Sequence, residues 1–108
     1  GGRAAYIGRV ADDFLGEVFR RDLRQVGVAF DVPGVVGDEP TARCLIQVTP
    51  DAQRTMNTHL GTSSHLSASD VDADLVASAS HLYCEGYLWD TDEAKEAIRY
   101  AMDVANSA

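Results

Sequence analysis

Between positions 14 and 26 the apolar residues recur at helical spacing. Phe14, Leu15, Val18, Phe19, Leu23 and Val26 fall on one face, and Arg20, Arg21 and Arg24 fall largely on the other. Asp12 or Asp13 can cap the start, because a carboxylate accepts from the free amides of a first turn, and Gly27 suits a left-handed stop. The apolar run Ala4, Ala5, Tyr6, Ile7 before Gly8 reads as a strand, and residues 28–32 read as another. Strand, helix and strand thus follow in order, with a Pro- and Gly-containing loop over 33–40.

Residues 41–49 form the best strand pattern in the chain. Pro50, Asp51, Ala52 and Gln53 make a turn by composition, and an extended run returns over 54–60. On the returning strand the period of two puts Arg54, Met56, Thr58 and Leu60 on one face and Thr55, Asn57 and His59 on the other. Neither face is cleanly apolar. Such a hairpin is a poor core element and suits a flap over a ligand.

Residues 61–65 read as a loop. Ser67 with Asp70 makes a capping pattern, with Leu66 able to staple onto Val71, for a short helix ending near Ala79. Residues 81–88, rich in aromatic and apolar side chains, read as a buried strand. Asp90 with Glu93 is a second capping pattern. Ala94, Ala97, Ile98, Ala101, Met102 and Ala105 then recur at helical spacing, their small side chains implying close packing onto a sheet. The sum is an α/β organisation, partly parallel and interrupted by a hairpin.

Composition narrows the partners. The 108 residues carry 9 basic and 17 acidic side chains, a formal net charge of -8. Phosphate backbones need clustered cations, so nucleic acid is not an expected partner. Apolar runs are far shorter than the ~20 residues that span a bilayer, so no membrane partner is expected either. Cys44 and Cys84 both lie in apolar stretches and read as small buried hydrophobes, which fits a cytoplasmic protein.

Phosphate-binding loops, nucleophile elbows and paired C-x-x-C thiols are missing. His59, His65 and His81 lack metal-ligand spacing. The groups Asp12-Asp13 and Asp70-Asp72-Asp74 read as helix N-terminal acids. Two residues stand out. Arg54 opens the returning strand on the face of Met56 and Thr58, where a guanidinium suits a phosphate or carboxylate, although an exposed turn arginine is the plainer reading. Glu85 is a carboxylate in an apolar stretch, facing a cleft or paired with an arginine.

The segment Ala4-Ala5-Tyr6-Ile7-Gly8-Arg9-Val10-Ala11-Asp12-Asp13-Phe14-Leu15-Gly16 resembles the "strand, G-x-(V/A)-G-x-D-x-x-G, helix" unit near the start of ribokinase-like (PfkB) carbohydrate kinases, with Ala11 where the pattern has glycine. Glu39 to Cys44 and Gln53 to Gly61 are similar to that family's lid hairpin, Leu66 to Leu75 to the helix start after it, and Tyr83 to Tyr87 to a later strand. The similarity runs through essentially the whole chain and leans toward the adenosine-kinase branch.

The resemblance implies part of a doubly wound α/β sheet interrupted by a small β lid, with lid strands near 28–32 and 41–60 and core elements near 4–27 and 66–106 in a single segment, 1–108. It implies an ATP- and Mg2+-dependent sugar or nucleoside kinase that moves a phosphoryl group to a hydroxymethyl group. By position, Cys44, Met56 and Thr58 correspond to substrate-lining lid residues and Arg54 to a phosphate-contacting one. The family's catalytic base and anion hole lie in a G-A-G-D segment absent here. The expectation is therefore a fragment, inactive alone and binding no ATP or Mg2+ by itself. The alternative is a non-catalytic binding module or a homodimer built on the hairpin.

Overall fold

A computed structural model describes residues 2–108. Strand β1 (Ala4–Ala5) leads through residues 6–13 into helix α1 (Phe14–Gln25), and β2 (Val28–Ala29) returns beside β1. The two strands pair in parallel, Ala4 with Val28 and Ala5 with Ala29, and Tyr6 N donates to Ala29 O at 2.9 Å. A parallel pair needs a crossover, and α1 supplies it. The lid strand that the resemblance implied near 28–32 is the two-residue β2, and its partner is β1 and not the hairpin. An isolated parallel bridge, Ala11 with Val35, joins the segment just before α1 to the loop after β2.

Helix α1 begins where Asp13 caps it: the carboxylate accepts from Gly16 N at 2.8 Å. It ends at Val26, with Gly27 at φ +77°, a conformation that glycine adopts without a Cβ penalty. The helix face differs from the sequence reading. Phe14 and Val26 are exposed, whereas Arg20, expected on the solvent side, is buried. Its guanidinium lies 3.0 Å from Glu17 and 3.9 Å from Asp12, which lets a cation sit inside because its charge is met there.

Two apolar groups hold the body together. Tyr6, Phe19 and Phe30 meet edge to face with centroids 5.5 to 5.6 Å apart, and Phe30 is 2% exposed. Burying such a ring contributes about 2–3 kcal/mol. The second group is Leu66, Val71, Val76, Ala97 and Ala101, with Ile7, Leu82 and Leu88 packed against it. Ala94 and Ala97 are fully buried, as the alanine spacing predicted, but their neighbours are helices and turns.

Strands β3 (Arg43–Val48) and β4 (Arg54–His59) form an antiparallel hairpin. All twelve residues are exposed. After it, Gly61–His65 is a 3-10 turn and not an open loop. Ser67 and Asp70 do form the capping box, but it caps the short 3-10 turn Ala68–Asp70, and α2 (Ala73–Ser78) starts separately on Asp72. Residues 81–88 are not a strand: they run without ladder partners into the 3-10 turn Gly86–Leu88, with Tyr83 and Tyr87 more than 80% exposed. Helix α3 (Asp92–Ser107) is capped by Thr91 and not by Asp90; Thr91 Oγ1 accepts from Ala94 N at 3.2 Å and donates to Ser64 O at 3.1 Å.

Candidate functional site

The hairpin register decides which side chains can act together. Cys44 lies opposite Thr58, Ile46 opposite Met56 and Val48 opposite Arg54. Directly paired residues share a face, so one face carries Cys44, Ile46, Val48, Arg54, Met56 and Thr58. The four residues singled out from the sequence, Cys44, Arg54, Met56 and Thr58, therefore stand on one surface. Arg54 is beside the turn and Cys44 and Thr58 are at the base. Thr58 Oγ1 donates to Cys44 Sγ at 3.3 Å, which fixes the facing of Cys44 that periodicity left open. Along this strip Ile46, Val48 and Met56 are 55 to 65% exposed. An apolar strip ending in a guanidinium can cover a flat ring and meet an anion beyond it.

Cys44 and Cys84 are both free and exposed, which corrects the reading of them as buried hydrophobes. Leu45 and Ile46 beside Cys44, and Tyr83 beside Cys84, are exposed with them. Glu85 accepts from the Tyr83 hydroxyl at 3.3 Å and has no arginine partner among the described residues. Burial, and then the Glu85 carboxylate, push the Tyr6 hydroxyl above its ordinary pKa.

Between the start of α1 and the loop that precedes the hairpin lies a cleft of about 280 Å³ lined by Ala11, Asp12, Asp13 and residues 35–40. Directly after Pro40, at the end of this lining, comes Thr41, a buried residue that pattern reading missed. Thr41 Oγ1 donates to Asp13 Oδ1 at 2.6 Å, Thr41 N donates to Asp13 Oδ2 at 2.9 Å, and Ala11 N donates to Thr41 Oγ1 at 2.9 Å. Thr41's hydroxyl first, then its amide and that of Gly16, hold the Asp13 carboxyl below the usual carboxylate range, with the Arg43 charge assisting. Asp13 is thus more than a helix cap. A signal existed, a threonine at the mouth of the hairpin in a chain with a spare carboxylate at a helix start, but only tertiary structure pairs them.

The other leg of the hairpin returns to the same place. Thr62 N donates to Pro40 O at 2.9 Å, and Gly61 has φ +52°. A Cβ on Gly61 would lie 2.0 Å from Pro40 O, so glycine is required there. His59 Nε2 lies 3.7 Å from Glu39 Oε2, and His65 Nδ1 lies 3.9 Å from Glu93 Oε2. The histidines are not gathered, and among the described residues no group of three or more His, Cys, Asp or Glu side chains could hold a metal ion. No described helix is long and apolar enough to cross a membrane.

The whole chain, residues 1–108, matches the family model described as pfkB family carbohydrate kinase. It is 30% identical over 112 residues to "Probable fructokinase-3" of Arabidopsis thaliana, covering all of this chain and 32% of that one. Among solved structures, adenosine kinase from Sinorhizobium meliloti superposes with a TM-score of 0.91 at 51% identity, over 99% of this chain and 33% of that one. A probable sugar kinase from Rhizobium etli superposes at 0.89 with 48% identity, over 99% and 32%. A putative ribokinase II from E. coli, at 19% identity and a TM-score of 0.89, shares the fold. The chain spans about a third of the length of these relatives. The ribokinase-like α/β architecture read from the sequence is that of these neighbours, and the chain belongs to the pfkB family of carbohydrate kinases.

Proposed function

We propose that this chain carries the substrate-covering hairpin of an ATP-dependent sugar or nucleoside kinase, and that adenosine is the substrate it fits best. The observation that carries this reading is the common face of Cys44, Met56, Thr58 and Arg54. Met56 and Ile46 offer apolar contact to a base or sugar ring, Thr58 and Cys44 offer polar atoms at the base, and Arg54 offers a cation for a phosphate. The likeness at 51% identity to adenosine kinase from Sinorhizobium meliloti supports the nucleoside over fructose, since the probable fructokinase is 30% identical.

In the complete reaction the γ-phosphoryl group of ATP passes to a hydroxymethyl group, a step governed by positioning and charge stabilisation. The described residues supply no ligand cluster that fits Mg2+, so no metal step is assigned to them. Their share is to cover the substrate, exclude water and place one guanidinium near the transferring charge. The chain then has no turnover of its own. Its two exposed, unpaired thiols support a reducing compartment, the cytoplasm.

The test combines turnover with protection. ATP, Mg2+ and adenosine, ribose or fructose added to the purified chain should give no phosphorylated product, and adenosine should slow alkylation of Cys44 but not of Cys84. Equal rates at both thiols with and without adenosine would remove the hairpin from the substrate site.

A second occupant is favoured by one observation: Leu45, on the opposite hairpin face, is 66% exposed. A homodimer packed through that face would bury it, leaving the Met56 face for ligand. Sedimentation equilibrium separates the two states, because the dimer has twice the 11.6 kDa chain mass.

A further inference from the structure

We infer that Thr41 is a positioning residue, the joint that sets the direction in which the hairpin leaves the body; the inference rests on the reading of the hairpin as a cover. Both legs of the hairpin converge on two residues. The outgoing leg is pinned by Thr41, whose hydroxyl and amide both donate to Asp13 and whose oxygen accepts from Ala11 N. The returning leg is pinned by Thr62 N on Pro40 O, with Gly61 pressed against the same carbonyl. Beyond this junction all twelve strand residues are exposed. The direction of the hairpin is therefore set at its root.

The chemistry of the joint is asymmetric. Asp13 is at once the N-cap of α1 and the acceptor for the hairpin, so the helix start and the hairpin root share one carboxylate. A two-point grip on both carboxylate oxygens fixes an orientation, whereas one bond would leave a swivel. Thr41 touches neither substrate nor phosphate in the proposed reading. It acts on them through Met56 and Arg54, which travel with the hairpin.

Residual dipolar couplings measured on the 15N-labelled chain test this. They report whether the amides of Arg43–Val48 and Arg54–His59 share the alignment of those in α1 and α3. In the wild-type chain the two sets should share one alignment. Thr41→Val removes the hydroxyl and strands the buried Ala11 amide; the hairpin couplings should shrink while the helical ones hold, and Thr41→Ser should restore them. A residue with a merely structural role would weaken both sets together. If Thr41→Val does not fold, Asp13→Asn serves, since it keeps a cap acceptor but turns one side of the grip into a donor facing the Thr41 amide.

Hairpin couplings in Thr41→Val or Asp13→Asn equal to those of the wild type would overturn the joint. Adding adenosine separates this from the larger reading. Wild-type hairpin couplings unmoved by adenosine, with Thr41→Val still loosened, support the joint and count against the cover. Couplings shifted by adenosine with Thr41→Val behaving as wild type keep the cover and sink the joint.

Discussion

Arg9 Nη1 lies 3.2 Å from Asp70 Oδ2, tying the segment between β1 and α1 to the 3-10 turn before α2 across 61 positions of sequence. The same nitrogen donates to His65 O at 3.1 Å, and Asp70 Oδ2 also accepts from Ser67 N and Ser67 Oγ. Both side chains are about four-fifths covered. Arg9→Met keeps the stem and loses the charge, and it should lower unfolding stability by about 1–3 kcal/mol in urea titrations. No loss would show that the Ser67 bonds alone hold the turn.

Acid should loosen the chain at two carboxylates. Burial works to raise the Asp70 pKa, but the Ser67 amide and hydroxyl and the Arg9 guanidinium outweigh it, and the value falls below the ordinary one. Asp13 is lowered as well. A folded pKa below the unfolded one means that the folded state binds fewer protons. The stabilisation is then complete above about pH 4 and is lost as pH falls through the lowered values. The urea midpoint should drop on acidification below pH 4, and Asp70→Asn should flatten that drop. An identical pH profile for this variant would contradict the assignment.

Thr91 and Asp90 compete for the start of α3 in the sequence, and substitution separates them. Thr91→Ala should cost about 0.5–2 kcal/mol, the usual range for a lost N-cap, while Asp90→Ala should change little. The reverse order would restore Asp90 as the cap.

Gly61→Ala places a methyl group 2.0 Å from the Pro40 carbonyl oxygen at a positive φ. The loss should exceed the ~1 kcal/mol typical of glycine replacement at a left-handed position, because backbone has to move. Gly37→Ala, where no atom lies within 4 Å of the added carbon, is the control. Equal midpoints for the two variants would show that the turn yields freely.

Arg54→Gln tests the phosphate assignment. In isothermal titration it should weaken AMP binding by about tenfold or more, the effect of losing a charged hydrogen bond, and leave adenosine binding nearly unchanged. Parallel losses for both ligands would place Arg54 against the nucleoside instead.

Much of the local structure was legible because its causes are local. Asp13 and Gly27 bracket α1, a proline-containing turn closes the hairpin, and alanine spacing marks the buried side of α3. Alternation also placed Arg54, Met56 and Thr58 on one face before any coordinate did. What escaped was set by distant partners. Arg20 reads as a solvent residue until Glu17 and Asp12 are seen around it. Residues 81–88 are apolar enough for a buried strand, yet no described strand lies beside them. Apolar content says what a segment can bury, not what is there to cover it. Thr41 is invisible for the same reason, since its partners lie 28 and 30 positions away.

The exposure of every hairpin residue has an evolutionary consequence. Ile46, Val48 and Met56 contribute nothing to either apolar cluster of the body, so exchanging them carries little folding penalty. Mutational drift can therefore rewrite this surface one residue at a time. The constraint falls instead on Asp13, Thr41 and Gly61, at the root, where a single substitution displaces the entire surface at once. The character of the exposed face and foldability are thereby placed under separate selection within one short stretch of chain.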